Sequence, residues 1–258
     1  MAHRIYTERL SNGFSFDMIL VEKGSFLMGG NDAEAFDREK PVHRVEVPDF
    51  YLGKYPVTQG LWKAVMGEDN NPSNFKGDLR PVERVSWDEA QGFIQKLNAA
   101  TEESRKTQDL GAYRLPTEAE WEFAARGGAH SEGYLYAGSD KLKEVGWYDE
   151  NSNGQTQDVG LLMGNELGFF DLSGNVYEWT EDHWHERYKG NPPLDGSAWL
   201  SDNPRAGRVV RGGGYFYYQG YCRVSFRDDY APDARLDNIG FRLALSPRPA
   251  GRPGPAIP

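Results

Sequence analysis

Arg211-Gly212-Gly213-Gly214-Tyr215-Phe216-Tyr217-Tyr218-Gln219-Gly220-Tyr221-Cys222, answered further on by Asn238-Ile239-Gly240-Phe241-Arg242-Leu243, is the stretch from which the fold is read. Two kinds of position are mixed in it. Gly212, Gly213, Arg223, Arg227, Pro232, Asp233, Arg235 and Gly240-Phe241-Arg242 have the character of scaffold: turn formers, arginines suited to buried ion pairs, and a strand end. Between them stand Tyr, Phe and Asp with small residues interleaved. Tyr217 and Tyr218 are consecutive, so on a strand they face opposite sides. Both are core only if that strand is covered on both faces. Packing alone does not account for the set.

The composition around this stretch narrows the class. A chain of 258 residues is long enough to bury a core as one large domain or two small ones. Its mean hydropathy is low, at -0.71, yet 13% of its residues are aromatic, which predicts a core of few, large side chains. Thirty Gly and 15 Pro favour turns and long connections over a helical bundle. A formal net charge of -10 repels nucleic-acid backbones and anionic membranes, so neither is expected as a partner. Cys222 is the sole cysteine, which rules out an internal disulfide and suits a reducing compartment. The start lacks the apolar run of a signal peptide, and no stretch approaches the length of a spanning helix. A cytoplasmic protein without membrane insertion is the expectation, with display on a cell or phage surface left open.

Local patterns supply the elements. Residues 19–28 read as a hairpin with Lys23-Gly24 at its turn, and the charged run from Asp32 to Lys40 as a surface loop. Thr58 offers an N-cap to a helix carrying Leu61, Trp62, Val65 and Met66, closed by Gly67. Ser86 and Glu89 form a capping box ahead of Ala90, Phe93, Ile94 and Leu97, with a solvated polar end from Thr101 to Asp109. Thr117 and Glu120 form a second box, heading a helix with Trp121, Ala124 and Ala125. Helix signals then fade. The expectation is a single domain over residues 1–245 with two main helices, short strands and much irregular loop, followed by a Pro-rich, disordered tail at 246–258.

A set of ordered motifs resembles the formylglycine-generating enzyme (sulfatase-modifying factor) family. They include Phe26-Leu27-Met28-Gly29, Pro56-Val57-Thr58, Val85-Ser86-Trp87, Arg114-Leu115-Pro116-Thr117-Glu118-Ala119-Glu120-Trp121-Glu122, Gly174-Asn175-Val176-Tyr177-Glu178-Trp179, Arg211-Gly212-Gly213 and Gly240-Phe241-Arg242. The resemblance implies an α+β fold of the C-type-lectin-like kind. Fold does not settle function. The family's enzymes oxidise a substrate cysteine with copper held by two cysteines after Arg-Gly-Gly. Placed on this chain, the second falls on Cys222 and the first on Tyr217, and a further position often held by cysteine is Leu243. One thiolate cannot supply the paired soft sulfurs. Formylglycine generation, as an oxidoreductase acting on a peptide cysteine, is therefore the alternative reading.

The closing segment, about 211–243, also resembles that of variable proteins of diversity-generating retroelements, which share this fold and scatter mutations at Asn codons. The resemblance makes Phe216, Tyr217, Tyr218, Gly220, Tyr221, Phe226, Asp228, Asp229, Tyr230, Ala231, Ala234, Leu236, Asp237 and Asn238 the diversified positions. An Asn codon altered at its adenines cannot become Lys, Glu, Gln, Met or Trp, and none of these occurs at the sites. Given ordinary usage, their absence by chance is roughly one in twenty. Tyr and Phe give large contact area at small rotamer cost, while Asp and Gly add polar contacts and shape. Such residues suit a ligand-binding surface for a protein or other macromolecule whose identity the segment sets. Asp228, Asp229 and Asp237 favour a basic or donor-rich partner. The plainer alternative is that the aromatics are core.

Asp171, Gly174, Val176 and Glu178 match a calcium site implied by the enzyme resemblance, built from two side-chain oxygens and two backbone carbonyls. Capping of a tight turn without metal is the alternative, and no cofactor is required by the binding reading. His183 and His185 beside Asp182 and Glu186 lack an assured third ligand and read as surface loop. Cys222 needs a neighbouring base or cation to become a nucleophile, and a buried structural thiol is the competing reading. No phosphate-binding loop, dinucleotide fingerprint or Ser-His-Asp spacing is evident.

Overall fold

The computed structural model describes residues 4–203 and 205–247. In chain order it contains β1 (Ile5–Arg9), β2 (Ser15–Val21), β3 (Gly24–Met28), β4 (His43–Val47), β5 (Phe50–Gly53), α1 (Gln59–Met66), α2 (Trp87–Ala100), α3 (Glu102–Thr107), β6 (Leu110–Arg114), α4 (Glu118–Ala125) and α5 (Leu142–Val145). There follow β7 (Tyr177–His183), β8 (Arg208–Arg211), β9 (Arg227–Tyr230), β10 (Ile239–Phe241) and β11 (Ala244–Pro247). An antiparallel sheet of order β1-β2-β5-β11-β6 brings the two ends of the described chain together. A second sheet, β10-β7-β8-β9, pairs β10 with β7 in parallel, and β3 with β4 forms a separate ribbon. Helices and strands thus mix in an α+β architecture with long irregular connections.

The capping signals are realised as read. Thr58 Oγ1 accepts the Leu61 amide at the head of α1, and Gly67, at φ 106°, ends it. Ser86 and Glu89 satisfy one another's free amides ahead of α2, whose Ala90, Phe93, Ile94 and Leu97 are buried. Trp62 stacks on Phe93 at 5.3 Å, and both meet Phe241 edge-on, so α1 and α2 close over the start of the C-terminal strands. Burying each such ring contributes roughly 1.5–3 kcal/mol. The aromatic content therefore supports a core that overall hydropathy would not suggest.

Three expectations change. Residues 19–28 do not form a hairpin, because β2 pairs with β1 and β5 whereas β3 pairs with β4. Lys23-Gly24 carries the chain from one sheet to the other, and a Cβ on Gly24 would stand 2.7 Å from the Phe123 ring. That glycine serves close packing, not a turn. The polar end of α2 is not simply solvated: Thr101 breaks the helix and α3 follows, with Arg105 buried and bonded to the Asn98 carbonyl and the Thr101 hydroxyl. The third change is at the C-terminus, where β11 runs through Pro247, two residues into the stretch expected to be a tail. The remainder of that tail lies outside the described residues.

Helix α4 is buried at every position, including Glu118, Glu120 and Glu122. Carboxylates at alternate positions of a helix point in different directions, so no single apolar face exists here. Each is met by an arginine: Arg114 forks onto Glu120 with two bonds of 2.6 Å, and Arg126, at the end of the helix itself, reaches Glu122 at 2.7 Å. Arg227 and Arg211 meet Glu118, and Arg211 is the second partner of Glu122.

Candidate binding face

Strand β8 is followed by Gly212 and Gly213, at φ 98° and 76°, a left-handed pair that only glycine adopts at little cost. A Cβ on Gly213 would lie 2.6 Å from Cys222 Sγ, so the chain doubles back tightly over its own sulfur. The segment returns through β9, with Arg211 opposite Arg227 and Arg208 opposite Tyr230. It then turns through residues 231–238 into β10.

Four arginines, all fully buried, fix this path. Arg211 pairs with Glu122, and Arg223 grips Glu39 with bonds of 2.8 and 2.6 Å. Arg227 grips Glu118 with bonds of 2.7 and 2.8 Å, and Arg242 holds Glu178 at 2.8 Å. Most of their other donors go to backbone carbonyls, including Gly220, Phe226, His185 and Phe170, while Arg211 Nε stands 3.5 Å from Glu118 without a hydrogen-bond partner. A desolvated ion pair is tolerated only where nearly all of its hydrogen bonds are made. Burial alone would raise the Glu118 carboxyl, but Arg227 and Arg211 hold it below its usual range. Arg223 and Arg227 are thus scaffold, as their sequence pattern suggested, whereas Arg235 lies at the surface on Glu89.

Between these anchors the chain is not a strand, so turn geometry and not strand alternation sets where Tyr217 and Tyr218 point. Tyr218 projects outward at 50% exposure, and Phe216 at 45%. Ala231 and Leu236 are also exposed, and Tyr217, Tyr221, Asp228, Asp229, Tyr230, Ala234 and Asp237 are half-buried. Gly220, Phe226 and Asn238 are buried. Phe226, only 1% exposed, packs edge-on beneath Tyr221 at 4.8 Å, and the Asn238 carbonyl accepts the Tyr177 amide. These three support the face without forming its surface.

The aromatics form one contiguous cluster. Phe216 stacks on Tyr217 at 4.4 Å, and Tyr217 and Tyr218 each meet Tyr221 edge-on. The hydroxyls of Tyr217 and Tyr230 are 3.0 Å apart, bonded across the turn over the buried Tyr177 ring. Asp228 is paired with Arg38, and Asp237 faces the Tyr215 hydroxyl. The acidic positions of the segment are therefore partly used internally. Phe36 and Arg38, both in the charged run read only as a loop, lie against this cluster. A lone Phe among charges was the one signal for them in the sequence.

Cys222 is buried among Tyr136, Leu142, Val145 and Tyr148, and burial pushes its thiol up to about 12. Arg223 follows it in sequence but is committed to Glu39. A thiol so placed is a weak nucleophile at neutral pH. His183 Nδ1 accepts the Ser201 amide, and His185 stacks on Trp199 at 3.7 Å. Among the described residues no group of three His, Cys, Asp or Glu is placed to hold a metal.

The positions matched to calcium do not fit a cation cage. Both Glu178 oxygens receive the Arg242 guanidinium, and Oε2 also accepts Trp121 Nε1 at 2.7 Å. Asp171 accepts the Gly160 amide and Asn175 Nδ2. A cation would have to displace an arginine that already neutralises the site.

One buried carboxyl touches the rim of the face. Glu83 is fully buried, its Oε1 accepts the Phe75 amide at 2.8 Å, and its Oε2 has no partner. Burial, with Asp237 nearby, raises it to about 7 despite the Phe75 and Asn74 amides. A folded-state value above the unfolded one means that the native state holds the proton longer. The associated stability is present below the unfolded value near 4.5 and is lost as pH rises through about 7. Glu83→Gln is expected to flatten that part of a denaturation-versus-pH curve. An unchanged slope between pH 5 and about 7 would exclude Glu83 as its source.

Residues 9–247 match the model of the sulfatase-modifying factor enzyme 1-like domain. A chaperone protein LppX of Paenibacillus barcinonensis is 33% identical over 90% of this chain and 90% of its own length. A formylglycine-generating enzyme of Streptomyces coelicolor is 31% identical over 83% of this chain and 70% of its own. Among solved structures, Treponema denticola variable protein 1 superposes with a TM-score of 0.81 at 29% identity, covering 94% of this chain and 99% of that one.

Proposed function

The chain belongs to the sulfatase-modifying factor enzyme 1-like family, and from that premise we propose that it is a non-enzymatic ligand-binding protein. Its C-terminal aromatic face takes a protein or other macromolecule, with Phe216, Tyr218, Ala231 and Leu236 outermost and the half-buried tyrosines shaping the floor. The observation that carries this reading is the contiguous, outward-facing aromatic cluster seated on four buried arginine–glutamate pairs. Exposed aromatics held rigid have lost their rotamer freedom in advance, which favours binding. Likeness to a variable protein of Treponema denticola supports the assignment, as does the absence of Lys, Glu, Gln, Met and Trp from the diversified positions. We further propose that a retroelement diversifies this segment. The oxidase alternative keeps Cys222 in its favour, at the position of one copper-binding cysteine of the family. Its solitary, buried thiol weighs against it.

The test has two arms. Panning a displayed random-peptide library on the protein is expected to enrich peptides that bind about 100-fold more weakly when Phe216, Tyr218, Ala231 and Leu236 are all replaced by Ser. In parallel, a cysteine-containing peptide is incubated with the protein and monovalent copper. Turnover that disappears in Cys222→Ser would overturn the binding reading in favour of the oxidase.

A further inference from the structure

The loop of residues 73–85 is tied to the binding face at Leu236 and Tyr215. Arg84, at φ 59°, holds a left-handed conformation that side chains rarely adopt, and its amide donates to the Leu236 carbonyl, which also accepts the Ile239 amide. The Phe75 ring meets Tyr215 edge-on at 5.3 Å, and Tyr215 in turn meets Phe216 at 5.0 Å. The Tyr215 hydroxyl is shared with Asp237. Glu83 sits among these links. Its Oε1 holds the Phe75 amide, and its Oε2 is sealed from solvent without a hydrogen-bond partner among the described residues. Asp237 and Tyr215 face it from the C-terminal segment, Arg84 from the next position in the chain, and the Asn74 and Phe75 amides from the loop. Two amides do not replace the water that a carboxylate loses on burial, and Asp237 adds a like charge.

We propose that Glu83 is a proton-operated latch for the binding face: uncharged, it lets Leu236 and Asp237 dock on the loop, and on giving up its proton to solvent it drives them outward and weakens the hold on a macromolecular ligand. This role presupposes the binding reading and supplies its regulation. Strain at Glu83 has one way out. The inner side is closed, since a Cβ on Gly240 would stand 2.4 Å from the Val82 carbonyl. The outer side is held by the Arg84–Leu236 bond and the shared Tyr215 hydroxyl, and both open when residues 236–237 lift. Lifting lets water reach the carboxylate, so ionisation and opening favour one another. Burial raises the Glu83 carboxyl to about 7, so the closed state is the protonated one. Closure is most favoured below the ordinary value near 4.5, loses ground as pH rises, and levels off once pH passes about 7.

Amide exchange followed by NMR at about pH 5.5 and about pH 7.5, corrected for intrinsic rates, tests the latch without a ligand. The Arg84 and Ile239 amides, both bonded to the Leu236 carbonyl, are read against the Ala90 amide of α2. Their relative protection is expected to fall about ten-fold with rising pH in the wild type and less than about two-fold in Glu83→Gln, which keeps an acceptor for Phe75 but has no proton to lose. Asp237→Asn, which removes the like charge and leaves the burial, is expected to show a smaller fall than the wild type. Library-selected peptides with blocked ends and without His, Asp or Glu are then titrated at the same two pH values. They are expected to bind the wild type about three- to ten-fold more weakly at the higher pH, and Glu83→Gln equally at both. Protection and affinity that respond to pH alike in wild type and Glu83→Gln overturn the proposal, while peptides that still bind in that event leave the binding reading intact. Failure to select any peptide, with the exchange result as expected, would instead remove the binding reading and the regulatory role with it.

Discussion

Glu118→Ala is expected to lower unfolding stability by about 3–5 kcal/mol, because it strands buried positive charge. Glu118 accepts Arg227 at 2.7 and 2.8 Å and the Tyr188 hydroxyl at 2.9 Å, and Arg211 lies 3.5 Å away. None of these groups reaches water, so the cost is the desolvation of an unpaired guanidinium and not the modest net worth of a salt bridge. For a chain of this length the loss corresponds to roughly a 10 °C fall in Tm. Replacing both partners by apolar residues, Glu118→Leu with Arg227→Met, is expected to recover a large part of the loss, since no charge is then left alone. Denaturant unfolding of the three proteins decides it. A single-variant loss under about 1 kcal/mol would mean that water relieves the site.

Phe226→Ala and Tyr218→Ala are expected to behave in opposite ways, although the sequence pattern puts both residues in one class. Phe226 is enclosed by Tyr221, Phe36 and the backbone of its own turn, so truncation leaves a cavity costing about 3–5 kcal/mol. Tyr218 is half exposed and touches Tyr221 by an edge, so its truncation should change stability by no more than about 0.5 kcal/mol. Binding of library-selected peptides should reverse the order, with Tyr218→Ala weakening them roughly ten-fold or more at unchanged Tm. Chemical denaturation and peptide titration on the same preparations give both readouts. A destabilised Tyr218→Ala, or a Phe226→Ala as stable as wild type, would contradict the division of the segment into support and surface.

The helix caps were legible in the sequence because their chemistry is local: Ser86 with Glu89, and Thr117 with Glu120, satisfy amides within one turn. Longer-range choices were not. Nothing near Gly24 reveals that Phe123 will press on it, so a close contact was read as a turn. Nor does the local pattern of α4 reveal that its alternating glutamates are buried, because their arginine partners sit in β6, β8 and β9 or at the end of the helix itself. The lectin-like fold came from ordered motifs and not from periodicity, since the irregular connections carry no repeating pattern. Within the site, the arginines that anchor the segment and the outward Phe216 and Tyr218 were foreseeable. Burial of Phe226 and Asn238, and the arrival of Phe36 from a distant loop, depended on turns whose shape no local residue pattern specifies.

The spacing of the four buried arginines also sets how far the face can loosen when its side chains change. Arg211, Arg223, Arg227 and Arg242 divide the segment into short spans, each pinned at both ends to a different part of the interior. Closing a short span leaves little chain entropy to recover, so a poor choice of surface residue has few alternative backbone paths to relax into. Errors in the exposed positions are therefore confined to the span in which they occur. On the proposed binding reading, such a surface would be rewritten one patch at a time, and a failed rewrite would cost the molecule a ligand before it cost the fold.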